Sequence, residues 1–96
     1  MAKSIGETTE RHGISKKGEI GKYTMSVAVM LTGIEAHRIR RYEQPGLLKP
    51  VRSGAGQRRY TDTEIELIKS IAELEGEGIN LQGVKAILAM RKGERD

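Results

Sequence analysis

The sequence predicts a mainly α-helical domain, with four short helices and one small β-hairpin behind a flexible N-terminal arm. Three observations carry this. Two short helical segments flank a Gly-containing turn between Ser26 and Gln44, a Gly-tipped run lies between Leu48 and Tyr60, and two longer amphipathic stretches follow a capping box at Thr61. In chain order they give helix-turn-helix, wing, helix, helix, which is a winged helix-turn-helix.

Residues 1–22 contain five hydrophobics, Met1, Ala2, Ile5, Ile14 and Ile20, and their isoleucines recur at no helical spacing. With Gly6, Gly13, Gly18 and Gly21 among Ser, Thr and Lys, this stretch reads as the arm. The body then runs over 23–92, and 93–96 is a short tail. Ser26 is the expected N-cap of a helix over Val27 to Leu31, ended by Thr32-Gly33-Ile34. A second helix starts near Glu35 and runs to about Gln44, because Pro45 has no amide hydrogen and Gly46 leaves helical geometry readily. On it Ile39, Tyr42 and Glu43 share a face, so Ile39 and the Tyr42 ring turn inward while His37, Arg38, Arg41 and Gln44 turn outward. Ser53-Gly54-Ala55-Gly56 forms the tip of the hairpin. Thr61 and Glu64 stand three residues apart, as a capping box requires, and Ile65, Ile68, Ile71, Ala72 and Leu74 then recur at helical spacing. Gly76 and Gly78 close that helix, and Asn80 caps a last one with Leu81, Val84, Ile87 and Leu88 on one face.

Composition narrows the function. The 96 residues are 36% hydrophobic and 31% charged, which suits one small domain with a modest core and no deep substrate cavity. With no Cys, and with only His12 and His37 to supply imidazole, neither a thiolate nucleophile nor a metal site is expected, and no cofactor is called for. The Gly54-Ala55-Gly56 and Gly76-Glu77-Gly78 pieces lack the setting of a phosphate loop and read as turns. Glu73, Glu75 and Glu77 point in different directions with no nucleophile nearby, and they read as a solvated face, so an enzyme is not expected. The longest apolar run, Val27 to Leu31, is far too short to span a bilayer and no signal peptide opens the chain, so a cytoplasmic location is expected.

Charge is unevenly spread. Residues 1–22 carry a formal +2, 23–34 are neutral, 35–60 carry +5 and 61–96 carry −3. Basic charge therefore gathers on the second helix and the hairpin. Arginine donates two hydrogen bonds to guanine in the major groove, so Arg38 and Arg41 suit base readout, while the hairpin arginines suit phosphates. A solvated basic surface is the plainer alternative.

The same residues resemble the MerR family of winged-helix transcriptional regulators. The likeness spans Tyr23 to about Met90 and rests on I-R-R-Y-E-Q-P-G-L-L at 39–48, R-R-Y at 58–60 and G-I-N-L-Q-G-V-K-A-I-L at 78–88. S-V-A at 26–28 and the G-I-N-L-Q-G-V-K run are most similar to the heat-shock repressor (HspR-like) branch, with the nitrogen-control repressors of Gram-positive bacteria next. The resemblance implies that Arg40 and Tyr42 contact the DNA backbone or support the helix on it, and that Arg58, Arg59 and Tyr60 are a backbone-contacting trio on the wing. Arg41 stands where the family has a tyrosine, so a base contact there falls to a guanidinium. His37 joins the DNA-binding set only through its place on the exposed face. Tyr42 and Tyr60 equally fit the aromatic part of a core that has no Phe or Trp.

The expected function is a sequence-specific double-stranded DNA-binding regulator, a repressor that occupies its operator in the bacterial nucleoid. The heat-shock likeness implies chaperone genes as targets and a chaperone as co-repressor. Typical members continue after the last helix into a dimerising coiled coil and a sensing domain, and neither is expected within these 96 residues. A homodimer on DNA would then form through the arm, the winged-helix surface or the DNA itself. Two rivals fit the same residues: an excisionase-like factor that bends DNA, and a protein-interaction module whose acidic closing helices bind a partner.

Overall fold

The computed structural model describes residues 19–95 and shows a winged helix-turn-helix. Helix α1 is Met25–Thr32, α2 is Ala36–Arg41, strands β1 (Val51–Arg52) and β2 (Arg58–Arg59) form the wing, and α3 (Asp62–Gly76) and α4 (Leu81–Arg95) close the domain.

The first helix begins two residues earlier than its sequence suggests. Thr24, not Ser26, is the N-cap, and its hydroxyl accepts from the Val27 amide at 3.3 Å. Both hydroxyls are good caps. At its other end Gly33 adopts φ 74°, which only glycine takes without strain, and its amide donates to the Val29 carbonyl. The Thr32 hydroxyl donates to the Ala28 carbonyl and accepts from the Ile34 amide, which fixes the turn into α2.

Regular α-helix in α2 stops at Arg41, three residues short of the expected end. The amides of Tyr42, Glu43 and Gln44 donate three residues back, to Ile39, Arg40 and Arg41, so the chain tightens into successive turns ahead of Pro45. Gly46 follows at φ 80°.

In the wing Val51 pairs with Arg59 and Arg52 with Arg58, antiparallel, around the Gly-rich tip. The expected flexible arm over 1–22 lies outside the described residues up to 18, and its last four residues are held against the body. The amides of Lys22 and Tyr23 both donate to the Tyr60 carbonyl, and the Tyr60 amide returns a bond to Tyr23 at 2.7 Å. Glu19 accepts from the Thr63 hydroxyl, and Lys22 pairs with Asp62 at 3.0 Å.

Thr61 caps α3 as predicted. Its hydroxyl accepts from the Glu64 amide at 3.1 Å while the Glu64 carboxylate accepts from the Thr61 amide at 3.0 Å. The helix ends at Gly76, with Gly78 at φ 93° and the Ile79 amide returning to the Leu74 carbonyl. Asn80 accepts from the Gly83 amide at the start of α4, which stays helical through Arg95 where a tail from 93 was expected.

Helix α3 is the centre of the body, with α1 and α4 packed on it. Ile65, Ile68, Ile71 and Leu74 from α3 meet Ala28, Ile39, Tyr42, Leu48, Tyr60 and Val84 in one buried cluster. Tyr42 and Tyr60 are fully buried and supply its aromatic volume. This core places the outer face of α2 beside the wing.

Candidate nucleic-acid interface

Arg38, Arg40 and Arg41 fall in the last turn of α2, where positive charge suits the helix dipole. The structure sends them to different places. Arg38 and Arg41 reach back to Glu75 on α3: Arg38 Nη2 donates to Oε1 at 3.1 Å and Arg41 Nη2 to Oε2 at 2.6 Å. The buried Tyr42 ring brings its hydroxyl to the same Oε1 at 2.8 Å. Burial pushes the Glu75 carboxyl up, but the hydrogen bonds from Tyr42, Arg38 and Arg41 together hold it below the ordinary glutamate value. The expectation of a solvated Glu75 is therefore corrected, since its side chain is 16% exposed and carries three donors.

A second carboxylate ties the wing to α2. Arg58 Nε donates to Glu43 Oε2 at 2.7 Å, and the Tyr60 hydroxyl points at the same oxygen from 3.4 Å. Burial, and then the negative charge of Glu43, push the Tyr60 phenol far above its usual range, so it remains a neutral donor.

Arg40 is exposed and borders two open clefts at once. One lies along α2, lined by His37, Arg41, Glu43, Gln44 and Arg58, and the other runs from the start of α1 to Arg52, Arg58 and Arg59 of the wing. Arg52 donates to the Gly56 carbonyl, and Arg59 to Gln57 Oε1 and the Arg58 carbonyl. Those acceptors are neutral. Among the described residues Arg40, Arg52 and Arg59 have no carboxylate partner, so their charge is uncompensated along one side of the molecule. The same side holds the first turn of α1, whose free amides favour anions.

Residues 23–91 match the family model described as MerR HTH family regulatory protein. The chain belongs to the MerR HTH family. A Streptomyces coelicolor protein provisionally named heat shock protein HspR is 39% identical over 69 residues, which cover 71% of this chain and 46% of that protein. The transcriptional regulator TnrA of Bacillus subtilis is 33% identical over 88 residues, covering 92% of this chain and 76% of TnrA. GlnR of Bacillus anthracis is 26% identical over 74 residues, covering 77% of this chain and 57% of GlnR. The chain thus spans about half the length of HspR and of GlnR. TnrA and GlnR are named as transcriptional regulators and the family as a regulatory one, and the domain is not an enzyme.

In this MerR-family domain the residues singled out by sequence divide into three groups. Arg40 and Arg59 stand on the open basic side, with His37 at its edge near Glu35. Arg38, Arg41 and Arg58 are each held by a carboxylate, although Arg41 also lines the α2 cleft. Tyr42 and Tyr60 are core residues whose hydroxyls reach the two carboxylates. Sequence reasoning missed Arg52, Glu43 and Glu75 as parts of the site. A signal for Glu75 was present: it follows Ile68 by seven residues and Ile71 by four, on the apolar face of α3. Among the described residues no His, Cys, Asp or Glu group could hold a metal, and no helix is long and apolar enough to cross a membrane.

Proposed function

We propose that this domain is a sequence-specific double-stranded DNA-binding transcriptional regulator that represses by occupying its operator. The observation that carries the reading is the row of uncompensated charge from Arg40 on α2 to Arg52 and Arg59 on the wing, backed by carboxylates that face inward. A helix of six residues, about 9 Å long, fits a major groove about 12 Å wide. With α2 in the groove, Arg41 and His37 meet base edges, Arg40, Arg52 and Arg59 lie toward the flanking phosphates, and Arg58 stands beside them in its pair with Glu43. Tyr42 and Tyr60 support this surface from the core.

The heat-shock name of one relative, together with the likeness to the heat-shock repressor branch, supports chaperone-gene promoters as operators and a chaperone as co-repressor. Two copies on a palindromic site would supply symmetric half-site recognition. A regulator of this kind works in the cytoplasm, on the nucleoid.

The test is a titration into the duplex upstream of the protein's own gene and into a scrambled duplex of equal length, at about 50 and about 200 mM salt. A preference of about a thousandfold that survives the higher salt is expected. Equal affinities that collapse together as salt rises would overturn the reading.

A further inference from the structure

We propose that Glu75, on α3, is a specificity-determining positioning residue of the DNA site: it holds Arg41 and Arg38 from the protein side, aiming Arg41 at base edges and cancelling one of the two charges that phosphates would otherwise meet. This rests on the DNA-binding reading above. Glu75 is remote in sequence, 34 positions beyond Arg41 and 37 beyond Arg38, yet its two oxygens take both guanidiniums and the Tyr42 hydroxyl. The carboxylate is 16% exposed, against 33% for Arg38 and 44% for Arg41, so the pair is anchored at the inner end and open at the outer.

Arg41 has five N–H donors in a rigid fork, and the ion pair is made through Nη2. Its side chain still lines the cleft along α2, beside His37, Gln44 and Arg40. A guanidinium fixed on one side and open on the other meets a base in one orientation. Its ordering takes place during folding and not on the DNA, which is how a preorganised contact gains over a floppy one. An unrestrained arginine at this position would also reach the phosphates, which are present at every sequence. Two arginines share one carboxylate, so the cluster shows the duplex one net positive charge in place of two. Both consequences act on the difference between right and wrong sites more than on affinity itself.

Glu75→Gln keeps the shape of the side chain and removes the charge. In the full chain, binding to the scrambled duplex is expected to tighten about threefold or more at about 50 mM salt, with a salt slope steeper by about one unit. Binding to the upstream duplex weakens, so the ratio between the two falls about tenfold. The ratio is insensitive to a reduced folded fraction, which lowers both affinities alike. Glu75→Asp, which keeps the charge and shortens the reach, lowers the ratio by a smaller factor. In an Arg41→Ala background, Glu75→Gln changes the ratio by a much smaller factor, because only Arg38 is then left to release.

An unchanged ratio in Glu75→Gln or in Glu75→Asp, or effects of Glu75→Gln and Arg41→Ala that simply multiply, would overturn the proposal while leaving the DNA-binding reading intact. A wild-type chain with no preference for the upstream duplex would instead overturn that reading, and this inference with it.

Discussion

Two single residues show how tightly the site is built. Gly21 is buried where the incoming segment crosses the wing, and a β-carbon there would lie 2.1 Å from Val51 Cγ2 and 2.9 Å from the Arg59 carbonyl oxygen. The backbone carbonyl cannot yield as a flexible side chain does, so Gly21→Ala must push the segment off the hairpin. Overpacking of this kind costs about 1–3 kcal/mol, and the thermal midpoint should fall by about 4–8 °C for each kcal/mol in a domain of this size. A glycine needed for close approach and a glycine in a loose arm look alike in sequence, which is why Gly21 reads as part of the arm. Glu75 makes a prediction in pH. Its carboxyl titrates below its ordinary value of 4.5 when folded, so the stability it contributes is complete above that pH and is lost as pH falls through the lower folded value. Thermal melts should therefore show Glu75→Gln less stable than wild type by about 1 kcal/mol near neutrality, with the gap closing toward pH 3. A gap that stays constant down to that pH would mean the ion pairs contribute nothing.

At the level of elements, what could be read in advance was what is local. The α3 helix, its capping box and the Gly-tipped hairpin each rest on residues within a few positions of one another, and all three formed where the pattern placed them. Thr61→Ala removes one half of the box at a residue that is 1% exposed. The expected cost is about 1 kcal/mol, seen as a lower urea midpoint with an unchanged slope. The ends of α1 and α2 were less legible because neighbouring signals compete: Thr24 and Ser26 are both good caps, and the tight turns before Pro45 satisfy amides without continuing the α-helix. Least legible were the links between elements. The Arg58–Glu43 pair joins the wing to α2 and the Glu75 cluster joins α2 to α3, and neither follows from any local period. Only the place of Glu75 on the apolar stripe hinted that it points inward.

Across the whole molecule, the sequence already showed positive charge gathered between residues 35 and 60, but not how much of it would remain available to a polyanion. Seven arginines and lysines lie in that span: Arg38, Arg40, Arg41, Lys49, Arg52, Arg58 and Arg59. The fold pairs Arg38 and Arg41 with Glu75 and Arg58 with Glu43, and it sets Arg40, Arg52 and Arg59 along the open clefts without a carboxylate, while Lys49 lines neither cleft. Each phosphate neutralised on duplex DNA contributes about −0.9 to the slope of log affinity against log salt. If only the three uncompensated arginines meet phosphates, the slope for scrambled DNA should lie near −3 per bound chain; if every basic residue of the span took part, it would lie near −6. Arg59→Ala should then flatten the slope by about one unit and weaken operator and scrambled duplexes alike, whereas Arg58→Ala, already neutralised by Glu43, should change it by much less. A slope near −6, or equal changes at Arg58 and Arg59, would show that the carboxylates release their arginines when DNA arrives.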